Sequence, residues 1–414
     1  MTVPLARNRN YTLLWTGQAV SEFGFHATMI AFPLVVLAIS GSAAASGLVL
    51  GTVAAAQLIV GLPAGALVDR WHRRAVMLAC EAAHVVAVGS VVLALWWGVA
   101  SVAHLVVVAA VIGVCSALFE PAEDATLPTL VPAGQLPTAI AMNSARSSLG
   151  QLSGTAAGGF LFAVGRFVPF LADAVSHAVA FVALLFLRPP ARTVRPSPVG
   201  HLGREIADGL RWVWAHRHIR ATALCAVVLN LFFSAYYLVV IILAQSRGVP
   251  AGQIGVMAAM LGVGGIVGAL IAPYLHRAMG PYLSIAGVFW ALTALTPLAL
   301  FARDGYVMGA LFFAMALLPP TANTTIVTRQ LLHTPDELRG RMSSVLGLIT
   351  GVAAGVGPVA GGLLMEAIPG RPAVLVCAGG IALATVLVTV SPVLRDFPPY
   401  QEENQPTEGA ARNG

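Results

Sequence analysis

The sequence predicts an all-α membrane protein of twelve transmembrane helices in two six-helix halves, and three observations carry that prediction. Hydrophobic residues fill 58% of 414 positions, charged residues only 10%, and mean hydropathy is +0.84. That composition supplies about twelve spans at ~20 residues each, and it excludes an ordinary soluble domain. The apolar runs are long and continuous rather than alternating, which favours helices over barrel strands. Finally, "GALVDRWHRR" at residues 65–74 is echoed by "GALIAPYLHR" at 268–277, 203 positions later.

The first run, at about 12–38, is long, is interrupted by Gln18 and Glu22, and shows no small-residue cleavage site, so it reads as a retained helix and not a leader. Runs at 45–68, 75–98 and 102–120 follow, the second and third joined by the basic loop at 65–74. Runs at 139–163 and 167–187 close a first half spanning 1–187. Residues 188–218 open with "RPPARTVRPSPVG", a Pro-rich basic linker. An amphipathic helix follows, with Leu202, Ile206, Leu210, Val213 and Trp214 on one face. It is expected to lie in the membrane interface with Trp212 and Trp214 near the headgroups. Runs at 219–245, 253–275, 282–302, 306–328, 342–367 and 373–394 form the second half, 219–395. The polar residues 396–414 read as a disordered tail.

Basic residues set the expected orientation. All 23 are Arg, and with both termini in the cytoplasm 18 fall on inner segments, four (Arg166, Arg247, Arg303, Arg371) outside, and Arg146 within a span. The net charge of +6 is therefore a topology signal and gives no reason to invoke nucleic acid. Cys80, Cys115, Cys225 and Cys377 are scattered one per span, so neither a disulfide framework nor a metal site is expected from them. There is no Walker lysine, no His-Glu-x-x-His and no nucleophile–base pair, which points away from an ATPase or other enzyme and toward no cofactor.

The internal echo extends well beyond one loop. At the same offset Gly61, Gly65 and Arg74 fall on Gly264, Gly268 and Arg277, and Gly154, Gly158 and Gly159 on Gly357, Gly361 and Gly362. Two distant segments in one register indicate parallel repeats related by an axis along the membrane normal.

With these residues in place, the chain resembles the major facilitator superfamily over nearly its whole length. Gly65, Leu67, Asp69, Arg70, Arg73 and Arg74 match that superfamily's signature loop, with His72 where Gly is usual. "GVAAGVGPVAGG" in the eleventh span is similar to the Gly-Pro-x-x-Gly-Gly pattern that antiporters carry in span five; span five here has "GTAAGG", with Thr155 in place of Pro. "NRNYTLLWTGQAVSEFG", "ADGLRWVWAHRHIR" and "TPDELRGRMSS" resemble the drug and siderophore efflux branch. The resemblance implies efflux, driven by a proton gradient.

On that fold Asp69 is expected to cap the N-terminus of the eleventh span near Arg341 and Met342. Arg70, Arg73 and Arg74 can pair with Glu120, Glu123 or Asp124, and together with Gly65 these form a candidate cytoplasmic latch. Gly154, Gly158, Gly159, Gly357, Pro358, Gly361 and Gly362 are candidate small-residue contacts at the interface between halves.

Polar groups inside apolar spans carry the mechanistic expectation. Gln18, Glu22 and His26 recur every four residues and share one helical face. Asp173 and His177 form another pair four apart, and Glu81 lies with His84 in span three. Glu22, Asp173 and Glu81 are the candidate proton carriers. Gln18, His26, Asn143, Arg146, His177, Asn230, Tyr236 and Asn323 are candidate cavity residues, with Tyr237 beside them. The expected protein is a proton-coupled exporter of lipophilic or amphiphilic small molecules in the cell membrane, a monomer working by alternating access. A siderophore or metabolite exporter is the alternative, followed by a lipid transporter or passive channel.

Overall fold

In the computed structural model, residues 4–188, 202–332 and 336–396 are described. Fifteen α-helices occupy them: α1 Arg9–Ser40, α2 Ala43–Arg70, α3 Arg73–Trp96, α4 Val102–Leu130, α5 Leu136–Val164, α6 Val168–Phe186, α7 Leu202–Ala215, α8 Arg217–Ser246, α9 Ala251–Ala278, α10 Pro281–Leu295, α11 Gly305–Ala316, α12 Pro319–Leu332, α13 Asp336–Ala367, α14 Arg371–Val390 and α15 Pro392–Arg395. The described residues contain no strand. The linker segment 189–201 and the tail from 397 onward lie outside them, as do the side chains of Leu202, Arg204, Glu205, Ile206 and Asp208 on α7.

The ends of these helices follow from sequence. Asn8 caps α1 by accepting from Tyr11 N, and Ser42, Ser101 and Asp304 cap α2, α4 and α11 in the same way. Between α1 and α2, Gly41 takes φ 68°, a left-handed conformation that ends α1 and lets the chain reverse at once.

Eleven elements are long and apolar enough to cross a membrane. The missing member of the expected twelve is α5, whose 29 residues include Asn143, Arg146 and several serines, yet which packs along α1 and α9 inside the bundle. Two expected spans are interrupted. The run at 282–302 is α10 followed by a tight turn at Thr296–Leu300, where Pro297 removes a backbone donor. The run at 306–328 divides into α11 and α12 ahead of Pro319 and Pro320.

α1–α6 pack on one another, as do α8–α14; the halves meet where α2 crosses α13 and α5 crosses α9, with α1 touching α8. Outward faces carry exposed Val86, Leu270 and Leu387, an apolar surface that suits lipid. α7 is tied to the second half, Val213 being buried with Ile219 of α8 and Met342 and Val345 of α13 while Trp214 stays exposed.

The two interiors differ. Apart from the small cluster under α7, buried apolar residues of the second half form one cluster from Cys225 to Leu394, which also takes in Ile30, Leu34 and Ala43 of the first half. Those of the first half form two, one around Leu14, Met77 and Leu127 and one around Phe32, Val88 and Phe170. Between them lies a layer of buried polar groups that includes Gln18, Glu81, His84, Arg146 and Asp173.

Candidate functional site

The polar layer is built from five helices. α1 supplies Gln18, Glu22 and His26; α3 supplies Glu81 and His84; α4 and α5 supply Glu123 and Arg146; α6 supplies Asp173 and His177. Helical periodicity makes this compact, because residues three or four apart stack on one face.

Two networks divide the layer. In the first, Arg146 donates to Glu123 through Nη1 at 2.7 Å and Nη2 at 3.2 Å, and to Glu22 Oε1 through Nε at 3.3 Å and Nη2 at 3.2 Å. Glu22 Oε2 is buried beside Ser147 without an aligned hydrogen bond. Two carboxylates thus share one guanidinium, and the triad carries one net negative charge when both are ionised. In the second network Gln18 Nε2 donates to Glu81 Oε1 at 2.9 Å, and His177 Nδ1 donates to Glu81 Oε2 at 2.6 Å. His84 Nε2 lies 3.3 Å from Asp173 Oδ2, and the His84 and His177 rings stack with centroids 3.6 Å apart.

A cavity of about 540 Å³ is lined by Glu22, Glu81, His84, Asn143, Arg146 and His177 among others, with Glu120 and Asp124 exposed on its wall. A second, of about 630 Å³, lies between the halves and shares His26 with the first; Met29, Phe233, Tyr237 and Leu261 make it largely apolar. Asn230 and Asn323 line a third, of about 510 Å³, in the second half. The arrangement can hold a molecule with a polar end against the first half and an apolar body against the second.

Tyr236 corrects an expectation. It is fully buried in the second-half core, its hydroxyl donating to Thr296 O at 2.8 Å where α10 breaks, and its neighbour Tyr237 faces the cavity instead. A 100° step per residue separates adjacent tyrosines, and sequence alone did not say which one turned inward.

The glycine set divides as well. Gly154 and Gly158 pack on Phe23 and Ala27 of α1, and Gly357 and Gly361 on Ser234 and Ala235 of α8, all within their own halves. Only Gly159, Pro358 and Gly362 meet the opposite half: Gly159 backs on Ala251 and Gly255 of α9, and Pro358 and Gly362 on Gly47 of α2. The same division in both copies is the internal repeat expressed as packing. A side chain at Gly159 would run into the Ala251 carbonyl and Gly255 backbone. Gly159→Val is therefore expected to force this seam apart and lower transport severely, while Gly89→Ala, which meets open space away from the cavities, leaves it near wild type. Transport rates of the two variants at matched membrane abundance check this.

These contacts also show which way the cavity opens. All the close crossings between halves lie toward one face, called here the far face. Toward the opposite face, where α6 ends and α8 begins, Gly61, Gly65, Gly265 and Gly347 have nothing within 4 Å among the described residues. Among the described residues, the glycine contacts between halves close the far face, and none is found at the linker face.

Arg73 and Arg74 of the proposed latch make hydrogen bonds within the first half. Arg73 Nη1 donates to Ala125 O, and Arg74 donates to Leu184 O at 3.1 Å and Leu185 O at 2.7 Å at the end of α6. Glu123, expected to pair with one of the loop arginines, is held by Arg146, which comes within reach because α5 packs beside α1. Gly65 and Arg70 are exposed, and the side chains of Asp69 and Arg341 lie outside the described residues.

Sequence reasoning missed Glu366. At the far-face end of α13 its Oε2 accepts from Ser42 Oγ at 3.0 Å and Ala44 N at 3.2 Å, capping the N-terminus of α2 across the seam. A carboxylate in the last turn of a helix opposes that helix's own dipole, and that was the available signal for an outside partner. Glu366→Ala is expected to loosen the far face. Spin labels on the α1–α2 and α13–α14 turns should then show a longer distance population, and an unchanged distribution would remove Glu366 as a clasp.

A multi-pass helical bundle of two repeated halves with cavities in and between them is the architecture of a membrane transporter, and comparison with known proteins gives the class. The sequence profile of the major facilitator family described as transmembrane secretion effector matches residues 2–408. The chain belongs to that family. It is similar to the multidrug efflux pump Tap of Mycolicibacterium fortuitum, 28% identical over 398 residues that cover 89% of this chain and 92% of the relative. It is also 28% identical to Tap of Mycobacterium tuberculosis (strain ATCC 25618 / H37Rv), over 92% of this chain and 91% of that one. Among solved structures, nucleoside transporter NupG superposes with a TM-score of 0.75 at 11% identity, over 95% of this chain and 100% of NupG. An inward-facing bacterial homologue of the iron transporter ferroportin gives 0.68 at 20%, over 94% of this chain and 99% of that one. These last two speak to the fold.

Proposed function

We propose that this protein exports lipophilic or amphiphilic small molecules, drugs among them, in exchange for protons by alternating access. The name of the Tap relatives supports drug efflux, and the observation that carries the coupling is the Glu22–Arg146–Glu123 triad on the cavity wall. One net negative charge in a membrane interior is costly, and a proton on Glu22 brings the triad to neutrality. Glu22 is the carboxylate to accept it, since Glu123 is held by two guanidinium nitrogens while one Glu22 oxygen lacks an aligned partner. Asp173 and Glu81 are each bound to histidine and serve as the second acidic group.

In this reading the linker face is cytoplasmic, in accord with the Arg distribution, and the structure is the inward-open state. Glu366 clasps the outer seam in this state. Asp69, at the other end of the same antiparallel α2–α13 pair, clasps the inner seam when the protein opens outward, so each helix carries a carboxylate that caps its partner's N-terminus. The test is proton-driven uptake into inverted membrane vesicles across lipophilic cations, macrolides and siderophores, with Glu22→Gln and Asp69→Asn beside wild type. Substrate accumulation that collapses with the proton gradient supports the antiporter; transport indifferent to the gradient removes it. A response to siderophores alone would favour the metabolite exporter.

A further inference from the structure

The second polar network has a feature that proton exchange at Glu22 leaves unused. Glu81 accepts from His177 Nδ1 at 2.6 Å, which leaves Nε2 as the nitrogen that can hold a second proton or a metal ion. That Nε2 faces Asp173 Oδ1 at 3.3 Å, and neither atom, both buried, has a hydrogen-bond partner. Two buried polar atoms left without an aligned hydrogen bond need a cation, a second proton on the ring or a metal ion, between or beside them. On the other oxygen of Asp173, His84 Nε2 also stands at 3.3 Å. The three ligand atoms of His84, Asp173 and His177 fall within 4.8 Å of one another.

Charge points the same way. α3 and α6 bring two carboxylates, Glu81 and Asp173, and two imidazoles, His84 and His177; α1 adds Gln18 and His26, and α4 the Cys115 thiol. The Arg146 guanidinium is engaged by Glu22 and Glu123. With neutral imidazoles the cluster carries two buried negative charges. A proton on one ring leaves one of the two negative charges uncancelled, and protonating both rings would place two cations face to face at the 3.6 Å stacking distance. One divalent cation neutralises the pair of carboxylates without that repulsion.

We propose that His84, Asp173 and His177 form a binding site for a divalent transition-metal ion such as Zn²⁺, with Glu81 orienting His177 as its outer carboxylate partner. His84 Nε2 and His177 Nε2 each lie 3.3 Å from an Asp173 oxygen, the first from Oδ2 and the second from Oδ1, close to the edge of a tetrahedron built with bonds of about 2.0 Å, the Zn–N and Zn–O length. Glu81–His177 is the carboxylate–histidine pairing that metal sites use to set the tautomer. Mixed nitrogen and oxygen donors favour zinc and its neighbours over magnesium or calcium. The rings stack within 15° of parallel, so coordination requires each to turn its Nε2 edge toward the ion, and the cavity lined by Glu81, His84 and His177 provides the way in and room for a water as fourth ligand. This role goes beyond export. It was hidden from sequence because His84 lies on α3, 89 residues before Asp173, and only the Asp173–His177 pair on α6 was visible along the chain.

The test uses purified, untagged full-length protein in nanodiscs, stripped with chelator. Titration with Zn²⁺ is expected to show one equivalent bound with a Kd at or below about 10 μM. Co²⁺ should give the intense visible bands of a four-coordinate site. His84→Gln, His177→Gln and Glu81→Gln should each weaken binding by roughly 10–100-fold, with Glu366→Ala unchanged. Should a variant not fold, X-ray absorption on Zn²⁺-loaded wild type decides, with two imidazoles and a carboxylate at ~2.0–2.1 Å expected. No saturable binding up to about 1 mM, or binding that survives the His84→Gln/His177→Gln pair, would overturn the site.

Discussion

Replacing Arg146 by Met is expected to be the most destabilising single change in the first half. Its guanidinium, 5% exposed, makes two bonds to Glu123 and two to Glu22 Oε1, and without it two carboxylates face each other inside the bundle. Breaking a buried pair by removing one partner costs about 3–5 kcal/mol. Here one cation is shared by two anions, so the upper end is expected, read as a lower thermal midpoint in detergent and the loss of transport. Arg146→Lys should fall between, since one ammonium lacks the planar fork that spans both carboxylates. Adding Glu123→Gln to Arg146→Met should recover part of the loss, because a neutral amide removes one unpaired charge. A midpoint for Arg146→Met within error of wild type would mean that water already screens the triad.

Glu22→Gln should have the opposite profile, sparing stability and removing coupling. The amide keeps the volume and one hydrogen bond to Arg146 and leaves a neutral Glu123–Arg146 pair, so the triad holds no charge that a proton could cancel. Proton-driven accumulation in inverted vesicles is expected to fall at least ~10-fold, the equivalent of ~1.4 kcal/mol of lost coupling, with substrate binding within about twofold. The sign of the pH effect follows from the same charge count. Wild-type substrate binding from the cytoplasmic side should rise as pH increases and protons leave Glu22, and Glu22→Gln should flatten that dependence. If the slope survives unchanged, Glu22 is structural and the proton is carried in the His84–Glu81–Asp173–His177 network.

Much of this organisation was written along the chain. Apolar run length gave the spans, Arg placement the expected orientation, and one offset of 203 the repeat; none needs knowledge of distant contacts. The four-residue spacing of Gln18, Glu22 and His26 put them on one face because helix geometry is local. The breaks at Pro297 and at Pro319–Pro320 were also readable, since proline removes a donor wherever it stands, but the length of the surrounding apolar run outweighed it.

Partner choice was decided only by the fold. That Arg146 reaches Glu22 and Glu123, that Tyr236 bonds the Thr296 carbonyl while Tyr237 lines the cavity, and that Gly158 packs inside its half while Gly159 crosses the seam all depend on which helices become neighbours and how each is rotated. One residue of rotation is 100°, enough to move a side chain from cavity to core. Glu366 and the His84–Asp173–His177 cluster belong to the same category: each joins residues far apart in sequence, and only the packing of α2 on α13 and of α3 on α6 brings them within bonding distance.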